Sequence, residues 1–343
     1  MSASELIPIP PAALPEAGSR TLPGTGWLAH PWLRFAVRRF LRLVASVIVL
    51  VSAAFGMIHA VPGDPVRAAL GLTAPASLVA ARRHALGLDQ PLWRQYVHFL
   101  HGVVTGDLGT SMTSQLPVNE IIAQRLPATA GLATLAFAVV LVCGIPLGML
   151  AAVATREGRR PRLEVAFSGT TGLLAVVPEF LLAVALVVVF AVTLRMLPVA
   201  GRSGPFAYIL PVTALAVGPI AAIARVVRVE THRVLGEEYM RTARAKRLPA
   251  RLLYLRHALP NLLTSTLTIA GLLLSGLLAG TVLVENVFAW PGLGTELAQS
   301  VVAKDYPVVQ GLALVFGGGV LLINLVVDVL IALADPRSTI RET

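Results

Sequence analysis

The chain has 343 residues, of which 56% are hydrophobic and 13% charged, and its formal net charge is +10. A soluble domain carries about 25% Asp, Glu, Lys and Arg. A chain this apolar, with a mean hydropathy of +0.77, cannot cover a water-facing surface with polar groups, so soluble domains are excluded and an all-α integral membrane protein is expected. In a soluble protein the positive charge would point to nucleic acid. Here it reads as basic loops at a membrane, and no nucleic-acid partner is expected.

Residues 1–33 hold six prolines, Pro8, Pro10, Pro11, Pro15, Pro23 and Pro31, and read as a disordered cytoplasmic tail. Crossing the hydrocarbon takes about 20 apolar residues in a helix. Six stretches qualify: 43–61, 128–154, 165–194, 206–224, 262–284 and 308–334. The first, taken with its basic lead-in as 34–61, is too long for a signal-peptide core and is read as retained. With the N-terminus in the cytoplasm, most of the 28 lysines and arginines fall on the inner side. This predicts six spans in a multi-pass cell-membrane protein with both termini cytoplasmic. Residues 62–127 then form a long outer loop region, and 128–340 a five-helix core interrupted by a basic inner loop, 225–261. Connections this long are places for function rather than simple turns.

In the outer loop, Pro62 and Pro65 force the chain out of the first helix, and Asp64 supplies a turn-forming carboxylate between them. Trp93, Tyr96 and Phe99, interleaved with His98 and His101, predict a helix lying at the membrane interface. Within the spans, Gly144 and Gly148 are four apart, as are Gly276 and Gly280, a spacing that lets helices pack closely in this chain or against a second subunit. The lone Cys143 reads as a small core residue. Pro178 predicts a kink in the third span, with Glu179 beside it as a candidate for the translocation path. Asn324 and Asp328 read as structural, and Arg225 and Arg228 as snorkelling side chains.

The inner loop carries a predicted helix over Tyr239–Leu248 that stops at Pro249. Small residues (Thr242, Ala243, Ala245) alternate with basic ones (Arg241, Arg244, Lys246, Arg247). Such a surface suits either anionic lipid or the acidic rim of another protein.

The order of these residues, EYMRTARAKRLPARLLYLRHAL from Glu238 to Leu259, resembles the EAA loop of binding-protein-dependent ABC importer permeases. It is the version found in the dipeptide, oligopeptide and nickel branch, in subunits of the B type. The matching residues are Tyr239, Arg241, Thr242, Ala243, Arg244, Ala245, Lys246 and Leu248, then His257, Ala258 and Leu259. Further segments follow in the family's order: PGDP (62–65), LGLDQPLWRQY (86–96), GDLGTS (106–111), PVNEII (117–122), RLPAT (125–129), LPVAGR (197–202), VENVFAWPGLG (284–294), KDYPVVQG (304–311) and NLVVDVLIALADPR (324–337).

The resemblance implies a type I importer permease fold whose inner loop holds a coupling helix, Glu238–Leu248, docked on an ATPase subunit. It implies as partners a second homologous permease, two ATPase subunits, a solute-binding protein and lipid. ATP and magnesium would be held by those partners, with no cofactor and no catalytic residue in this chain. The implied cargo is a di- or oligopeptide, with nickel chelates, glutathione or another small solute as alternatives. Asp64, Glu179 and Glu285 are the candidate pathway residues, and Trp290 is read as an anchor at headgroup level. One position departs from the family: its glycine is Arg247 here, which is expected to take an ordinary conformation and to put a long cation on the docking surface. Other classes lack support. There is no Gly-x-x-x-x-Gly-Lys-Ser/Thr run for an ATPase, no hydrolase motif, and no internal repeat of the kind seen in stand-alone carriers.

Overall fold

The computed structural model describes residues 31–60, 66–67, 73–85 and 87–334. The proline-rich tail up to residue 30, the PGDP segment (62–65) with Asp64, and the closing DPR segment (335–337) therefore lie outside the described residues. The helices, in order, are α1 (Pro31–Ala60), α2 (Ala76–Ala85), α3 (Leu92–Thr105), α4 (Val118–Ala154), α5 (Pro161–Val176), α6 (Glu179–Leu186), α7 (Ile209–Gly236), α8 (Glu238–Ala245), α9 (Leu259–Val287), α10 (Leu293–Ala303) and α11 (Tyr306–Ala334). β pairing among the described residues is an isolated bridge between Thr110 and Pro117.

Among the described residues, five helices are long and apolar enough to cross a membrane, and the α5–α6 pair makes a sixth span if its two pieces are taken together. That pair, continued to Thr193, bends by 95°. Pro178 lacks an amide proton and pushes Val177 out of the helical region, and both residues are extended. The expected kink is thus a full break in the span.

The core is centred on α4 against α7. Leu132, Ala136, Val140, Gly144, Gly148 and Ala152 recur every fourth residue along α4 and are all buried, which makes one straight ridge. A Cβ on Gly144 would lie 2.8 Å from Ile223 Cγ2, and one on Gly148 would lie 2.5 Å from the Ala224 carbonyl oxygen. The first glycine pair therefore serves packing within the chain. Of the second pair, Gly276 faces open space, whereas the Glu179 side chain fills the space above Gly280. Cys143 lies on the exposed side of α4, not in the core.

α4 begins ten residues before the apolar run predicted for it. Its first turns are held by Val118 and Ile121, which pack with Leu293, Val308 and Leu312, and by an Arg125–Glu296 ion pair at 2.9 Å. α1 joins α11 through an Arg39–Asp328 ion pair and a hydrogen bond from Gln310 to the Ala54 carbonyl. Asn324 meets the Ser275 hydroxyl on α9 at 3.3 Å, so both Asn324 and Asp328 tie α11 to its neighbours. Arg228 does not snorkel. It pairs with Glu164 on α5 at 2.6 Å and lies over the Phe167 ring.

Two segments between the spans are pinned by single side chains. The Tyr96 hydroxyl lies 2.9 Å from that of Ser52, and Phe55 packs edge-on against Tyr96, so α3 rests on α1. Asp305, almost fully buried, accepts from the Ser111 hydroxyl at 2.5 Å and from the amides of Met112 and Thr113 at 3.0 and 3.1 Å.

Candidate functional site

α7 runs past the predicted end of its span to Gly236, and one residue, Glu237, separates it from α8. The basic loop is therefore shorter than its sequence limits, 225–261, suggest. α8 is eight residues long, too short to persist alone in water. Two side chains seat it: Met240 is 0% exposed and Ala243 is 7% exposed, both within the main core cluster. Arg244 adds a hydrogen bond to the Leu235 carbonyl at 2.7 Å, which joins α8 to the last turn of α7. Burial lowers the Arg244 guanidinium below the ordinary arginine value. Partial burial, with Glu237 beside it, raises the Tyr239 hydroxyl above its usual value.

The opposite face is open. Glu238, Tyr239, Arg241, Thr242, Ala245, Lys246 and Arg247 are exposed, and Leu248 is half-buried. Sequence alternation had grouped Ala243 with Thr242 and Ala245 as docking residues. The helical period turns Ala243 inward, so the outer face keeps Thr242 and Ala245 as its small residues.

Arg247 overturns its expectation. Its φ is +54°, in the left-handed region that favours glycine. Its amide donates to the Arg244 carbonyl at 2.8 Å, closing the turn, and Pro249 follows in extended geometry. The turn that a glycine would make is retained with an arginine in it.

The acidic candidates separate. Glu179 opens α6 at the break, with its carboxylate against Gly280 of α9 and no hydrogen bond or ion pair among the described residues. Glu285 is 0% exposed; its Oε2 accepts the amide of Gly294 at 2.7 Å and that of Thr295 at 3.3 Å. It fixes the start of α10, a geometry aimed at main chain and away from open space. Trp290 is likewise 0% exposed and donates its indole N–H to the Ala128 carbonyl at 3.2 Å, so it is a core residue and not a headgroup anchor. Among the described residues no His, Cys, Asp and Glu group is placed to hold a metal ion.

Sequence reasoning missed Asp305 and Arg228 as fastening residues. The signal for Asp305 was its place in the KDYP segment between two spans. Arg228 was visible only as a cation one turn past the predicted end of a span.

Comparison with known proteins agrees with this architecture. Residues 144–340 match the family described as "Binding-protein-dependent transport system inner membrane component", and residues 32–133 match "Binding-prot-dependent transport system membrane comp, N-term". The chain is 40% identical over 306 residues to the glutathione transport system permease protein GsiC of Pectobacterium atrosepticum, covering 89% of this chain and 98% of that one. It is 39% identical over 305 residues to the GsiC protein of Escherichia coli K12, with the same coverage. In three dimensions it matches the MetNI methionine ABC transporter in an inward-facing conformation, with a TM-score of 0.52 and 19% identity, covering 63% of this chain and 96% of that one. The fold is that of a type I ABC importer permease. The chain belongs to the binding-protein-dependent transport system inner-membrane components, and is a multi-pass permease of an ABC importer.

Proposed function

We propose that this chain forms half of the translocation path of an ATP-driven importer for short peptides, with glutathione, itself a tripeptide, as the first cargo to test. The observation that carries the cargo reading is the near-full-length likeness to glutathione permeases. A second homologous permease forms the other half. Two ATPase subunits bind ATP and magnesium and dock on α8, and a solute-binding protein delivers cargo on the outer side. Both termini then lie in the cytoplasm.

The mechanism in this reading is alternation between two arrangements of the spans, biased by nucleotide and by the loaded binding protein. α8 is joined to α7 by one residue, so a push on its outer face moves α7 as a lever. Arg228 on that lever holds Glu164 of α5, and α5 leads to the break at Pro178. A displacement of α8 therefore reaches Glu179 through packed elements. An intramembrane carboxylate without an internal partner is costly against lipid. Facing the path, it meets water or the ammonium group of a passing peptide. Glu285, held by backbone amides, keeps the outer turn in shape. Asp64 stays a pathway candidate on its sequence position alone.

The test is reconstitution of this chain with its partner subunits and binding protein in vesicles, following uptake of labelled glutathione and of a labelled dipeptide. ATP-dependent uptake of either supports the reading. ATP hydrolysis without uptake of either overturns the peptide cargo. Uptake by this chain alone without ATP overturns the importer mechanism.

A further inference from the structure

Arg247 keeps a backbone conformation that penalises it. At φ +54° every side chain but glycine crowds the main chain, and among longer residues Asn and Asp are the ones usually tolerated. Strained residues of this kind concentrate where a side chain is needed at a fixed place on a functional surface. Arg247 is exposed at the exit of α8.

Its charge is also not neutralised by an acidic side chain among the described residues. Arg228, Arg233 and Arg241, on α7 and α8, each pair with a glutamate of this chain. Lys246, Arg247 and Arg251 are exposed and have no acidic partner among the described residues. Lys246 and Arg247 therefore stand unneutralised on a turn closed by the Arg247–Arg244 main-chain bond, and Arg251 follows just past the extended Pro249. Beside them, Thr242 and Ala245 expose only small side chains, which lets a second surface come close.

We propose that this turn is a charge-reading contact. The groove of the partner ATPase that receives α8 presents acidic side chains opposite Lys246, Arg247 and Arg251, and Arg247 selects the cognate ATPase by that charge. The inference rests on the docking of α8 proposed above. Anionic lipid headgroups would also attract these cations, but a fluid headgroup layer gains nothing from a cation held in a strained, fixed turn beside two small residues. A protein groove with fixed carboxylates does.

The experiment uses the full importer in nanodiscs of purely zwitterionic lipid and measures retention of the ATPase across a salt series. Arg247→Gly keeps the turn and removes the cation. The expected result is ATPase affinity about fivefold weaker with a flatter salt dependence, and spans as heat-stable as in the wild type. Arg247→Glu is expected to weaken it about twentyfold or more. Wild-type affinity and salt slope in both variants overturn the charge contact. So does a salt-sensitive wild-type affinity that appears only when anionic lipid is added, which assigns the cations to lipid. Thr242→Trp, which puts bulk on the same face, separates this inference from the docking reading. Release by Thr242→Trp with both Arg247 variants unaffected leaves docking standing and removes the charge contact. Retention in all three variants removes docking itself.

Discussion

Met240 is the test of how the eight-residue α8 is held. Its side chain is fully buried and, with Ala243, is the whole apolar footing of the helix. Truncating a buried methionine to alanine costs about 2–5 kcal/mol. The remaining tether, the hydrogen bond from Arg244 to the Leu235 carbonyl, contributes about 1.5–3 kcal/mol as a charge-assisted bond. A helix shorter than about 12 residues adds no stability of its own. Met240→Ala thus removes a share of what seats α8 comparable to or larger than the share that the Arg244 bond keeps. Even at about 2 kcal/mol, the population with α8 lifted off rises roughly 30-fold. Hydrogen exchange in nanodiscs reads this directly. The amides from Arg241 to Lys246 should exchange faster by that factor, while those of α4 and α7 keep wild-type protection, because the loss is local. In the assembled importer, coupling of hydrolysis to uptake should fall with it. Ala243→Glu, which forces a carboxylate into the same footing, should act in the same direction and more strongly. Unchanged exchange in Met240→Ala would refute the anchoring, and would mean that Arg244 alone seats the helix.

Three other substitutions probe the frame around the site. Gly148→Val places branched carbons against the Ala224 carbonyl and Val227; overpacking of this kind costs about 1–3 kcal/mol, so the melting temperature should fall, whereas Gly276→Val in open space should leave it unchanged. Arg228→Glu sets two carboxylates together at the α5–α7 contact and should cost about 1–2 kcal/mol; adding Glu164→Arg should restore most of the loss in a double-mutant cycle of thermal stabilities. Asp305→Ala strips the acceptor from the Ser111 hydroxyl and two amides, so exchange across 106–117 should rise by a factor corresponding to about 2–3 kcal/mol while the spans keep their protection.

The spans were legible because run length and charge placement are one-dimensional quantities, and so was the short helix, which its helix-forming residues and the stop at Pro249 mark out. What escaped depended on partners distant in sequence. α4 starts at Val118 because Arg125 finds Glu296 and because Val118 and Ile121 find Val308 and Leu312. None of these partners is within 170 residues along the chain. Trp290 follows the pattern of a headgroup anchor, yet Gly292 and Gly294 bring the main chain onto the Glu285 carboxylate and fold the turn inward. The indole is then carried to the Ala128 carbonyl.

Arg247 shows a different kind of limit. Reading a residue in place of glycine as a changed conformation assumes that the residue chooses the backbone. Here the backbone is chosen by its neighbours. α8 is seated by Met240 and Ala243, the Arg247 amide is held by the Arg244 carbonyl, and Pro249 fixes the extended exit. With both ends of the turn fixed, an L-residue between them accepts a left-handed φ at about 1 kcal/mol. That is less than the cost of unseating Met240. The conformation therefore survives the substitution, and what changes at this position is the charge presented to whatever α8 meets.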